Sequence, residues 1–366
     1  MSCAATETTV PSINGERRRS WMSDWLPSWR PTSEAQLEEA EKNILSSLSS
    51  EYRDLYVPIG EGAVIRCLVM EPQEPSFPEK TPLVLIHGFG CGIVQFFKNL
   101  DHLHRDRRLY ALDLPGFARS TRIPFPEEAE AVEAAFVSAL ERWREGVGLE
   151  RFVLLGHSLG GFLSLSYSMT HPYRVRHLIL DDPWGLVDPI AEEELQQKYS
   201  LLFRSILKIA SRFKPFDWIR GTGPLGPHIL RRSRRDLGRV FREDFLDYVY
   251  HSNVQNPTGE EGYFCMQHRF AWAKRPMLHR IGTDLNPDLP VSIIYGARSW
   301  VYSLDKSVME LFSGARPEGS YVGTYLVDDA THHVHAHKPE EFNETVREIL
   351  EIVDSSADMT YCRAST

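Results

Sequence analysis

Two stretches carry the residue types of nucleophilic catalysis. Gly156-His157-Ser158-Leu159-Gly160 is a G-x-S-x-G pentapeptide between the apolar run RFVLLGH (151–157) and the helix-like LGGFLSLSYSMTHP (159–172). A strand, a sharp turn and then a helix lift a serine clear of a sheet edge and set its Oγ over a helix N-terminus. The orphan N–H groups and the positive dipole end there suit a developing anion. The second stretch is THHVHAHKPEEF (331–342), with His332, His333, His335 and His337 inside six positions. A serine hydroxyl needs an adjacent base, and an imidazole is the usual one, held in the right tautomer by a carboxylate.

Chain order narrows the choice. In the strand–elbow–helix arrangement the order is serine, acid, histidine. The base then follows the last strand and precedes the closing helix, where His332 is the first histidine after YVGTYLVDD (321–329). Asp305, beyond the strand PVSIIYGA (290–297), is the expected acid, and Asp182, at the end of RHLILDD (176–182), is the alternative. The run His87-Gly88-Phe89-Gly90 follows the strand PLVLI, so the backbone N–H groups of Phe89 and Leu159 are the expected oxyanion donors. A zinc reading competes for the histidine run, because His333, His335 and His337 would share one face of an extended strand. The run falls at a strand-to-helix turn instead. His333 and His335 are therefore expected to be structural, with no metal and no other cofactor required.

These residues need a scaffold. Strand-like runs at 63–70, 82–88, 107–116, 151–157, 176–182, 290–297 and 321–329 alternate with helix-like stretches at 33–49, 126–148, 159–172 and 339–353. Such alternation predicts an α/β protein with a mostly parallel central sheet. The gap between Asp182 and Pro290 breaks the rhythm and fits a helical cap inserted between two sheet strands. The expected division is a flexible N-terminus with a Trp-rich segment (1–32), core (33–185), cap (186–288), core (289–354) and tail (355–366).

Composition sets outer bounds. The chain has 366 residues and a net charge of -9, which argues against a general nucleic-acid binder. Five cysteines with no CxxC pair point to free thiols in a reducing compartment. No apolar run reaches the 18 or so residues of a membrane span, and no secretory leader is expected. Two segments nevertheless suit a lipid surface. Trp21, Trp25 and Trp29 lie four apart beside Arg17, Arg18 and Arg19, a composition favoured at the headgroup boundary. Between Arg204 and Arg242 there are eleven Lys/Arg and two Asp, and helical apolar spacing from Leu195 to Phe213 makes an interfacial, basic helix the expectation.

The elbow GHSLGGF, then RVRHLILDDPWG, HSNVQNPTGE, WAKRPMLHRIG, YGARS and HKPEEFN, resemble the ABHD4/ABHD5 subfamily of α/β-hydrolases from Trp21 to about Asp354. The resemblance implies an α/β-hydrolase fold with a helical cap. One branch of that subfamily keeps the elbow serine and is implied to cleave acyl chains from phospholipids, N-acyl phospholipids included. The other carries Asn there. It is implied to act on lipid droplets as a co-activator of triglyceride lipase, with lysophosphatidic acid acyltransferase activity also assigned. Ser158 resembles the first branch and Arg298 the second.

Two departures bear on the alternatives. The subfamily's His-x4-Asp becomes His332 followed by His337, which removes the acid on which the acyltransferase assignment rests. Thr331 stands where the co-activator branch has Gly. The family's triad acid falls on Tyr302 counting forward from Gly-Ala-Arg-Ser and on Asp305 counting back from Arg316-Pro317, so a short insertion around 301–303 would retain Asp305. The implied function is a serine hydrolase of (lyso)phospholipid or N-acyl phospholipid esters. The implied partners are a lipid substrate, a droplet or membrane surface, and perilipin-type or triglyceride-lipase proteins. The implied location is cytoplasmic and peripheral, on lipid droplets, intracellular membranes or mitochondria.

Overall fold

All seven expected strands enter one eight-stranded sheet in the computed structural model, which describes residues 30–189, 213–268 and 272–364. The strands are β1 (Arg53–Gly60), β2 (Ala63–Met70), β3 (Leu83–Ile86), β4 (Leu109–Leu112), β5 (Phe152–His157) and β6 (Val175–Asp181), then β9 (Val291–Gly296) and β10 (Val322–Val327) after two short cap strands, β7 (Gln267–His268) and β8 (Trp272–Ala273). Their order is β1-β2-β4-β3-β5-β6-β9-β10. The pairs β1–β2 and β2–β4 are antiparallel, and every later pair in the sheet is parallel. β1 is the strand that alternation misses. It lies at the sheet edge, buries only Val57 and Ile59, and carries Arg53, Asp54 and Pro58. An edge position tolerates both the charges and the proline.

Helices cover both faces. Ser33 caps α1 (Glu34–Leu45), its hydroxyl accepting from the Gln36 N–H at 3.2 Å. α2 (Ala129–Val147) and α3 (Leu159–Thr170) share one buried cluster with Trp143, Phe136, Phe162 and Trp184. On the other face α1 and the closing helix α4 (Pro339–Ala364) pack over Leu83, Leu85, Val153 and Leu155. α1 is also fixed electrostatically, because buried Arg66 on β2 meets Glu41 at 2.7 Å and Asp113 at 3.2 Å. Removing one partner of such a buried cluster leaves an uncompensated charge, at a cost of about 3–5 kcal/mol.

The described part of the cap holds helices Asp217–Gly221, Gly226–Ser233, Arg235–Val240, Phe245–Asn253 and Thr258–Met266. Their Phe245, Tyr248 and Leu230 join the α1 side of the core, while Tyr263 and Met266 join the α2 side. Among the described residues, no helix is long and apolar enough to cross a membrane. The tryptophan anchor at Trp21, Trp25 and Trp29 and the basic amphipathic stretch at 195–212 lie outside the described residues.

Two buried histidines, one just beyond β3 and one on β6, make acid stability predictable. His87 accepts from the Leu114 N–H through Nε2 at 2.9 Å, and its Nδ1 lies 2.7 Å from the Gly88 carbonyl, so a neutral ring with Nδ1–H satisfies both. His177 on β6 lies 2.9 Å from the Ser292 hydroxyl, and burial pushes its pKa down to about 4. The unfolded chain takes up a proton near pH 6.5, whereas folded His177 does so only near pH 4. Its stabilisation is therefore present above pH 6.5 and lost as pH falls toward 4. Urea unfolding at pH 5 is expected to show a loss of about 2 kcal/mol relative to pH 7.5 from this residue, the product of 1.5 units and ~1.4 kcal/mol per unit. His177→Phe should remove that share of the pH dependence. An unchanged pH slope in that variant would assign the acid sensitivity elsewhere.

Candidate active site

Ser158 stands between the last residue of β5 and the first of α3, with φ +52° and ψ −115°. That conformation is costly for a non-glycine residue and persists only where neighbours enforce it. The enforcing contact is close backbone packing across the turn. A Cβ on Gly156 would lie 2.3 Å from the Gly160 carbonyl oxygen, and one on Gly160 would lie 2.3 Å from the Ile86 carbonyl oxygen. Neither glycine can be replaced without moving a strand. The Ser158 N–H donates to the Asp181 carbonyl at 3.0 Å, locking the elbow to the end of β6.

His332 arrives from the turn after β10. Its Nε2 is 3.0 Å from Ser158 Oγ and its Nδ1 is 2.8 Å from Asp182 Oδ1. The carboxylate of Asp182 is fully buried and held twice more, by the Gly296 N–H at 3.0 Å and by the Ser299 hydroxyl at 2.6 Å. The His332 backbone carbonyl lies 3.0 Å from His157 Nε2, so the residue before the serine steadies the loop that carries the base.

The acid is the point on which the sequence expectation is corrected. Asp305 does not reach His332. Its Oδ1 accepts from the Ser307 N–H at 2.9 Å, and it organises the start of the helix Val308–Ala315. The structure brings Asp182 to the imidazole instead, and the cause is register. β5 and β6 are neighbouring parallel strands with His157 opposite Asp181, so the next residues, Ser158 and Asp182, leave the sheet side by side. A loop aspartate farther along the chain has no such constraint.

Of the expected oxyanion donors, Leu159 directly follows the serine, and Phe89 follows Gly88, where an added Cβ would stand 3.2 Å from Ser158 Cβ. Among the described residues, neither the Phe89 nor the Leu159 N–H donates to a protein acceptor. The Phe89 loop is clamped on both sides. The Gly88 N–H donates to Gln95 Oε1 at 3.0 Å, and Asn253 of the cap donates to the Gly90 carbonyl at 2.7 Å. The Phe89 ring stacks on cap residues Tyr263 and Phe216 at centroid distances of 4.2 and 5.2 Å. Ser158 is buried, while half-exposed Trp300 has its ring centroid 5.3 Å from that of His332.

The other histidines separate into distinct roles. His337 Nδ1 accepts from the Thr331 N–H at 3.1 Å, tying the turn together. It is not grouped with His333 and His335, because 334–337 form one turn of helix rather than an extended strand. His335 Nδ1 is 2.6 Å from Asp181 Oδ2, a buried acid–histidine pair that neither the motif nor the spacing announces. Burial and the nearby Asp182 charge raise the Asp181 carboxyl well above its usual range, and burial lowers His335 to about 3. His157 is likewise held neutral by burial and the surrounding imidazoles. Arg298 is exposed on the loop after β9, its N–H donating to the Ala330 carbonyl at 2.9 Å.

A family model described as the alpha/beta hydrolase fold matches residues 81–339. The chain belongs to that family. Within it, the chain is a member of the ABHD4/ABHD5 subfamily. A mouse protein named (lyso)-N-acylphosphatidylethanolamine lipase is 40% identical, with 93% of this chain and 98% of the relative covered. A human protein named 1-acylglycerol-3-phosphate O-acyltransferase ABHD5 is 41% identical, with 96% and 100% covered. Among solved structures, a bacterial membrane phospholipase A superposes with a TM-score of 0.58 at 20% identity, covering 88% of this chain and 91% of that one. The fold is thus shared with that structure over 88% of this chain.

Proposed function

We infer that this α/β-hydrolase is a serine lipid hydrolase that cleaves acyl chains from (lyso)phospholipids or N-acyl phospholipids. The observation that carries this reading is the continuous relay from Ser158 Oγ to His332 Nε2 at 3.0 Å and from His332 Nδ1 to Asp182 at 2.8 Å. Ser158 Oγ attacks the acyl carbonyl carbon while His332 Nε2 takes the hydroxyl proton. The carbonyl oxygen becomes an oxyanion held by the N–H groups of Phe89 and Leu159. His332 then protonates the leaving oxygen, the ester C–O bond breaks, and the acyl group stays on Ser158. A water, deprotonated by the same imidazole, releases the fatty acid and restores the serine. Asp182 keeps the Nδ1 proton in place and stabilises the imidazolium throughout.

The substrate class rests on three supports. The subfamily relatives carry lipid names, aromatic side chains stack around the Phe89 loop, and the cap is basic. Arg231, Arg232, Arg235 and Arg239 are exposed on the cap of an acidic chain and suit a phosphate headgroup. Lipid-surface attachment through Trp21, Trp25 and Trp29 fits the same reading.

A fluorophosphonate probe is expected to label active protein at Ser158. A lipid panel should then show fatty-acid release from lyso- and N-acyl phospholipids. Active protein that resists the probe would end this reading. A second reading, co-activation of a triglyceride lipase on droplets with perilipin-type partners, is favoured by exposed Arg298. Stimulation of such a lipase that survives Ser158→Ala and is lost in Arg298→Ala would establish it. Acyl transfer would use the same acyl-enzyme with an alcohol in place of water. Phosphatidic acid formed from an acyl donor and lysophosphatidic acid would reveal it.

A further inference from the structure

Behind the triad lies a second group of buried side chains. His157 is the last residue of β5 and Asp181 the last of β6, and the two are register partners. The register that presents Ser158 and Asp182 together also presents the preceding pair, His157 and Asp181, together. His335 closes over this second pair as His332 closes over the first. All three side chains are buried, and one nitrogen or oxygen from each lies within 4.8 Å of the others.

The hydrogen bonding of this group is incomplete. His157 Nε2 faces the His332 carbonyl oxygen, so that nitrogen carries the proton and Nδ1 is left as a bare lone pair with no partner among the described residues. In either tautomer, the bond between His335 Nδ1 and Asp181 Oδ2 leaves His335 Nε2 and Asp181 Oδ1 without partners among the described residues. His333 Nδ1, beside them, likewise has no partner among the described residues. Each unsatisfied buried group costs about 1–3 kcal/mol, and several in one place call for a shared partner.

We propose that His157, Asp181 and His335 form a buried transition-metal site, suited to zinc, that ties together the three chain segments carrying the triad. Two imidazoles and one carboxylate are zinc ligands, and nitrogen donors disfavour calcium or magnesium. A tetrahedral zinc with ligand distances of about 2.0–2.2 Å holds its ligand atoms roughly 3.4 Å apart, so binding closes the widest gap in the cluster and opens the 2.6 Å contact between His335 Nδ1 and Asp181 Oδ2. His333 or water completes the coordination. The metal is structural. It sits one residue from Ser158, one from Asp182 and three from His332, and it fixes their spacing without touching substrate. The proposal is independent of the reaction that Ser158 performs.

The test uses full-length protein stripped with a chelator and shown by circular dichroism to be folded. Titration with zinc is expected to show one saturable equivalent and a raised melting temperature, and cobalt(II) should give the visible absorption of a tetrahedral N/O site. Asp181→Asn and His335→Phe should each weaken zinc by more than ~100-fold, the upper end of what an outer-shell partner costs. His337→Ala should bind as the wild type does. Folded wild type that takes up no zinc would overturn the proposal and leave a water-filled polar cluster. Equal binding in Asp181→Asn and His335→Phe would also overturn it, assigning the metal to surface histidines. Should those variants fail to fold, the cobalt spectrum of the wild type decides.

Discussion

Ser158→Ala protein is expected to lose lipid ester hydrolysis by ~10⁴-fold or more, with a melting temperature within a degree or two of the wild type. The size follows from the way triad members act as a unit. Without Oγ there is no acyl-enzyme, and only the oxyanion donors and substrate binding continue to assist direct attack by water. The small effect on stability follows from the side chain's surroundings. The only hydrogen-bond partner of Ser158 Oγ among the described residues is His332 Nε2, and the costly backbone at 158 is enforced by Gly156 and Gly160 rather than by the hydroxyl. Initial rates on a lysophospholipid and an N-acyl phospholipid, set against thermal denaturation of the same preparation, check both halves. Residual hydrolysis within tenfold of wild type would remove Ser158 from the reaction.

Asp182→Asn is expected to reduce kcat by ~10³- to 10⁴-fold, while Asp305→Asn leaves it within about twofold. An amide at 182 can donate to His332 Nδ1. That places the ring proton on Nε2, facing Ser158, where the base must be bare. The imidazolium formed during attack also loses its counter-charge. The amide keeps one acceptor oxygen for the Gly296 N–H or the Ser299 hydroxyl, so folding should survive. Asp305 serves a helix start, and its loss is a matter of local stability. Comparing kcat for the two variants on one substrate decides the acid. The opposite ranking would restore Asp305.

Much of this arrangement was legible in the residues. The elbow is a local event. A strand, two glycines and a helix start are all encoded within a dozen positions, so Ser158 and the Leu159 amide follow from the pentapeptide and its flanks. His332 follows almost as directly, because it is the first histidine after the last strand. The sheet strands were legible through their apolar runs. β1 was not, because an edge strand with two inward residues lacks the signal that burial on both faces imposes.

What the sequence determined by itself was therefore the chemistry available: a serine at an elbow, a histidine at the closing turn, two free backbone donors and more than one aspartate able to serve. The tertiary structure alone decided which aspartate does so. That choice depends on β5 and β6 being neighbours with His157 opposite Asp181, a long-range register that no local pattern records. The same register set Asp182 beside Ser158 and Asp181 beside His157. It divided one histidine-rich turn between two acids: His332 for Asp182 and His335 for Asp181.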